Sequence, residues 1–144
     1  MSISKATATW QGGFKDGKGT MKGAHAPEAS FTAGSRFEGQ PGSNPEELIG
    51  AALAGCYSMA LTLALEKAGM KPARVDTSAD VKLERLEVGP TITGIDLVTK
   101  VVVPGADVDD AKFQQIAEET KKGCPAARVL TATKIGLKAT VSAS

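Results

Sequence analysis

Aromatic residues are scarce: four Phe, one Trp and one Tyr among 144 residues. The interior must therefore be filled by aliphatic side chains, Ala and Gly, and small side chains let backbones approach closely. Charge of one sign is also lacking. The formal net charge is +1 and the basic residues are scattered, so no electrostatic footprint for nucleic acid or an anionic membrane surface is present. Histidine occurs once, as His25 before Pro27, without carboxylate or Cys neighbours, which argues against a zinc site and against a Ser-His or Cys-His pair. The fragment Gly17-Lys18-Gly19-Thr20 fails as a phosphate loop, because no Ser or Thr directly follows the lysine. The N-terminal run Met1-Ser2-Ile3-Ser4-Lys5 has no apolar core of the kind an export signal needs. With only two cysteines, this leads us to expect a cytosolic chain, where a disulfide is catalytic or sensing rather than structural. No repeats or low-complexity segments interrupt the chain, and its length suits one domain spanning residues 1–144.

What is present is one long apolar helix, predicted from Asn44 to Ala68. Asn44 is a suitable N-cap, Pro45 suits the first helical position, and Glu46 and Glu47 sit where the helix dipole favours acids. Gly69 supplies the stop. Between Leu48 and Leu65 only Ser58 and Thr62 carry polar side chains, so the helix should be buried on nearly every face. Its first-turn glutamates, two glycines and two hydroxyls argue against a membrane span.

Around it the pattern predicts strands. Residues 2–12 alternate weakly, and Phe14–Gly23 completes a hairpin. Ser30–Phe37 reads as a third strand with Phe31, Ala33, Ser35 and Phe37 on one face and Arg36 on the other. After Lys71-Pro72, alternation from Val75 to Leu83 marks a strand, and Gly89-Pro90 turns into a partner from Thr91 to Val103. Asp107–Lys122 is an amphipathic helix, Pro125 to about Leu130 a short one, and Thr133–Val141 a closing strand. Helices and strands are segregated, which predicts α+β with mainly antiparallel pairing. One sheet cannot cover a helix that is apolar all round. Either the sheet wraps it or a second copy of the chain does.

Cys56 lies mid-helix, flanked by Gly55, Ala52 and Ala60, which leave room beside the sulfur. Buried cysteines most often pack as small hydrophobes. Cys124 precedes Pro125 at a helix start, with Lys121 and Lys122 nearby, and both features favour a thiolate there. The two are too far apart in sequence for a Cys-x-x-Cys motif but can form a long-range thiol pair. A reactive Cys56 needs a cation, and Arg36 is the best candidate.

The segments Asn44–Ala52, Cys56–Leu61 and Gly123-Cys124-Pro125 closely resemble the OsmC/Ohr family of peroxide-reducing proteins, and Ser35–Gly39 with Gly42–Pro45 looks like its OsmC branch. The resemblance runs from about Trp10 to the last strand. It implies an OsmC-like fold, with sheets packed around a buried central helix in an intertwined homodimer. It also implies a thiol-dependent peroxidase acting on organic hydroperoxides. Cys56 would be the peroxidatic cysteine, Cys124 the resolving one, Arg36 the activating cation and Glu46 the carboxylate holding it. Leu53, Tyr57 and Met59 would offer apolar walls to an alkyl or lipid peroxide. No metal or organic cofactor is implied, and an external dithiol, dihydrolipoyl or similar, would reset the disulfide. Two other readings of the thiols remain open: a redox sensor or disulfide-exchange protein, and a non-catalytic dimeric binding module.

The spacing adds a constraint. Glu46 and Cys56 stand ten residues apart, about 15 Å of helix rise, and on different faces. One Arg36 reaches both only with difficulty from the same helix. Two antiparallel copies of the helix would bring Glu46 of one chain near Cys56 of the other.

Overall fold

A computed structural model describes residues 1–105 and 107–144. They divide into two compact units, Met1–Leu48 and Ile49–Ser144.

The first unit holds an antiparallel sheet of strands β1 (Ala6–Gln11), β2 (Lys18–Gly23) and β3 (Ala29–Phe31), in that order. Gly19 on β2 lies under the tilted Trp10–Phe31 ring pair, whose centroids are 5.4 Å apart. A Cβ there would sit 2.6 Å from Phe31 and 2.8 Å from Trp10, so this position needs glycine. The strand expected over Ser30–Phe37 stops at Phe31. Ala33–Phe37 is instead a short helix, α1. Its cause is a capping box: Thr32 Oγ1 accepts from the Ser35 N–H and Ser35 Oγ from the Thr32 N–H. Ser35 Oγ also donates to the Ser43 carbonyl at 2.8 Å, tying α1 to the start of the next helix. Arg36 therefore projects from a helix, not from a strand face.

Helix α2 (Pro45–Lys67) begins in the first unit and has its body in the second. Asn44 Oδ1 accepts from the Glu47 N–H at 2.8 Å, the expected cap. At the other end Gly69 takes φ +82°, and the Met70 N–H returns to the Leu65 carbonyl.

In the second unit β4 (Arg74–Leu86) and β5 (Gly89–Val102) form a long antiparallel hairpin with a register shift at Lys82/Leu83. Helices α3 (Asp110–Gly123) and α4 (Pro125–Val129) then lead to β6 (Lys134–Ser142), which pairs parallel to β5. The parallel pair is possible because the two helices form the crossover. The core joins Leu53, Tyr57, Leu61 and Leu65, every fourth residue of α2, to Ile95, Leu97 and Val101 of β5 and Phe113 and Ala117 of α3. The expectation that α2 is buried on nearly every face does not hold within one chain. Met59 is 75% exposed and Leu63 52%, so the side of α2 away from the sheet is bare.

Candidate functional site

The expected site residues fall into two groups, one in each unit. In the first unit α1 and the first turn of α2 bring Arg36 and Glu46 together. Arg36 Nη2 donates to Glu46 Oε1 at 2.6 Å, and Nε reaches both carboxylate oxygens at 3.2 Å. Glu46 is buried while Arg36 keeps about a third of its side chain exposed, so the carboxylate is the fixed partner and the guanidinium has an open side. The guanidinium also lies over the Phe37 ring at 5.1 Å.

In the second unit the two cysteines meet. The Cys124 S–H donates to Cys56 Sγ at 3.1 Å, and both are free thiols. Cys56 is half-buried and Cys124 buried. Cys124 closes α3 and opens α4, and its N–H donates to the Thr120 carbonyl at 2.8 Å. The expectation of a thiolate at Cys124 is corrected here. Burial, first, and the hydrogen bond to Cys56 push the Cys124 thiol above its usual range. The N–H groups of Ala126 and Ala127 oppose that shift but close no full cap bond to the sulfur. Lys121 gives no help, since its amine pairs with Glu118 at 2.9 Å.

Of the three apolar residues expected to line a pocket, Leu53 and Tyr57 are fully buried in the core, and Met59 lies on the bare side of α2. Tyr57 Oη donates to the Ala117 carbonyl at 3.1 Å, bracing α2 against α3. Burial, with smaller effects of Glu118 and Cys124, holds its phenol protonated far into the alkaline range. A groove of about 400 Å³ between α2 and α3, lined by Ala60, Leu63, Ala64 and Ile116, reaches Cys124.

The residue pattern did not reveal how α2 is fixed to the sheet. Ser58 Oγ donates to Thr77 Oγ1 at 2.8 Å, which meets the fully buried Thr99 Oγ1 at 2.8 Å. The signal in the sequence was Ser58, one of two hydroxyl residues with Thr62 in an otherwise apolar run. The chain of hydroxyls satisfies three polar groups inside the unit and sets the rotation of the turn that carries Cys56.

The chain has relatives among known proteins. Residues 37–138 match the family described as OsmC-like protein. The chain is 45% identical over 130 residues to the peroxiredoxin OsmC of Escherichia coli, covering 89% of this chain and 90% of that one. The chain belongs to the OsmC family. Among solved structures, an OsmC-like protein of Vibrio cholerae superposes with a TM-score of 0.78 at 17% identity, over 97% of this chain and 100% of that one. The organic hydroperoxide resistance protein OhrB of Bacillus subtilis gives a TM-score of 0.69 at 23% identity, over 96% and 98%. The α+β fold of this chain is thus the OsmC/Ohr-like fold.

Proposed function

We propose that the chain is a cysteine-based peroxidase that reduces organic hydroperoxides to alcohols. The observation that carries this reading is the 3.1 Å approach of Cys56 and Cys124, residues from α2 and the α3–α4 junction. The Cys56 thiolate attacks the distal peroxide oxygen: an S–O bond forms, the O–O bond breaks, and the alkoxide leaves as alcohol. Cys124 then displaces hydroxide from the Cys56 sulfenic acid as water, and the disulfide forms. Two dithiol-derived protons and electrons return both cysteines to thiols, with a dihydrolipoyl-type dithiol as the reductant we favour. The half-buried Cys56 suits the attacking role and the enclosed Cys124 the resolving one.

Arg36 is the group we assign to the thiolate and the peroxide oxygens, held in plane by Glu46. Leu53 and Tyr57 back the thiol from the core, and Met59 offers the apolar flank for an alkyl chain. We further read the bare side of α2 as covered by a second copy, so that both units act as one catalytic domain only in a homodimer.

The test is steady-state consumption of cumene hydroperoxide with dithiothreitol. Turnover by the parent and its loss in Cys56→Ser are expected. A parent that oxidises once and does not turn over would instead be a sensor, and an unreactive Cys56 would leave a binding module.

A further inference from the structure

Resting on that reading, we propose that Cys124 acts before the resolving step: its S–H is a hydrogen-bond donor that stabilises the attacking Cys56 thiolate. The two sulfurs lie 3.1 Å apart, and once Cys56 is the thiolate only Cys124 has a proton to place between them. Cys124 is 1% exposed, whereas Cys56 is only half-buried. The same burial keeps Cys124 in the thiol form in which it can donate. Among the described residues of the second unit, the ionisable groups flanking the pair do not replace this donor. The Tyr57 hydroxyl is committed to the Ala117 carbonyl, Lys121 and Glu118 neutralise each other, and Arg128 of α4 is exposed.

The proton balance of the full cycle follows. In the first half-reaction Cys124 keeps its proton, and the alkoxide is protonated from solvent. In the second, the Cys124 sulfur forms the S–S bond as the S–O bond of the sulfenic acid breaks, and the Cys124 proton leaves with the departing hydroxide as water. A single thiol thereby stabilises the nucleophile and later supplies the proton its own displacement reaction needs.

Hydrogen bonds to charged groups are worth enough for a ten- to hundredfold effect, and S–H is a weak donor, so the low end of about tenfold applies. Three variants isolate the donor: Cys124→Ser keeps one, Cys124→Ala removes it, and Cys124→Val removes it while filling the space. Two measurements are made on each. One is the rate of Cys56 sulfenic acid formation with cumene hydroperoxide, trapped by dimedone. The other is the pH profile of Cys56 alkylation by iodoacetamide, which needs no peroxide. The Ala and Val variants should react about tenfold more slowly than Ser at neutral pH and rejoin it about one pH unit further into the alkaline range. Equal profiles in Ser, Ala and Val would overturn the inference. Should one of these variants fail to fold, Ser against the other decides. If alkylation separates the variants but hydroperoxide oxidises Cys56 neither to a sulfenic acid in Cys124→Ser nor to the Cys56–Cys124 disulfide in the parent, the donor stands and the peroxidase reading falls.

Discussion

Replacing Glu46 by Gln tests whether the Arg36–Glu46 pair of one chain serves the thiol of another. The variant keeps the side chain's shape and one acceptor oxygen but loses the charge that Arg36 meets through three contacts at 2.6–3.2 Å. A fully buried pair broken in this way costs about 3–5 kcal/mol. Arg36 is a third exposed, so solvent weakens the interaction and about 1–2 kcal/mol is the better figure. If that is the loss of transition-state stabilisation, a Glu46→Gln homodimer falls roughly five- to thirtyfold in kcat/KM. A Cys56→Ser homodimer is inactive. Unfolding the two together and refolding them randomly makes about half of the dimers mixed, and in a composite arrangement each mixed dimer holds one intact site of two. Activity should then recover to about one quarter of the parent's per chain, several times the mean of the two separate homodimers. Initial rates of cumene hydroperoxide reduction measure this directly. Recovery no higher than that mean means that each site is built within one chain, and a folded, active monomer in sedimentation would refute the shared site altogether.

Arg36→Lys keeps a charge but replaces a planar fork by a point donor, so it should retain well under a tenth of the activity despite an unchanged net charge. Activity equal to the parent's would show that charge alone suffices. Tyr57→Phe removes the hydroxyl that braces α2 on α3 and should cost about 1 kcal/mol in a urea melt, and an unchanged midpoint would mean that the bond contributes nothing net. Stability should also fall in alkali. The Cys124 thiol and the Tyr57 phenol both have folded-state values raised above their ordinary 9.0 and 10.0, so each contributes stability that is full below those values and is lost as pH rises through the folded ones. Urea midpoints should be flat from neutrality to about pH 8.5 and decline beyond pH 9.0, with a shallower decline in Cys124→Ser. A midpoint that rises with alkalinity would contradict the assignment.

Where the residues themselves impose local geometry, the structure was legible in advance. Asn44 and Gly69 bound α2 as their capping chemistry requires, and the alternation from Val75 to Leu83 is a strand because every second residue faces the core. Alternation misled over Phe31–Phe37. Phe31, Ala33, Ser35 and Phe37 have period two, but Thr32 and Ser35 stand at capping-box spacing, and those side-chain bonds to backbone N–H groups decide the conformation. The parallel pairing of β5 and β6 was out of reach, because it depends on how α3 and α4 cross between them. At the site, both cysteines were visible but not the balance at Cys124. Its helix start and lysines can be read from neighbours in the chain. Its burial comes from distant elements, and burial outweighs them.

The long apolar helix remains the point on which architecture and chemistry turn. By length and a mean hydropathy of 1.8, α2 would also suit a bilayer. Its hydrogen bonds argue otherwise. Moving it into lipid would break the Ser58–Thr77–Thr99 chain and the Tyr57–Ala117 bond, stranding hydroxyls and a β-sheet face that the helix now covers. A protein surface suits the bare side better, because Ala52 and Gly55 allow a second backbone close to it, as small residues do wherever helices touch. Yet Met59 and Leu63 make only a narrow stripe, well short of the roughly 800 Å² per partner that a stable interface covers. The first unit carries further exposed apolar side chains in Trp10, Phe14 and Phe37, the last stacked beneath Arg36. We infer that the second copy covers these as well as α2. Whether Arg36 then serves a neighbour's thiol is what the mixed Glu46→Gln and Cys56→Ser dimers decide.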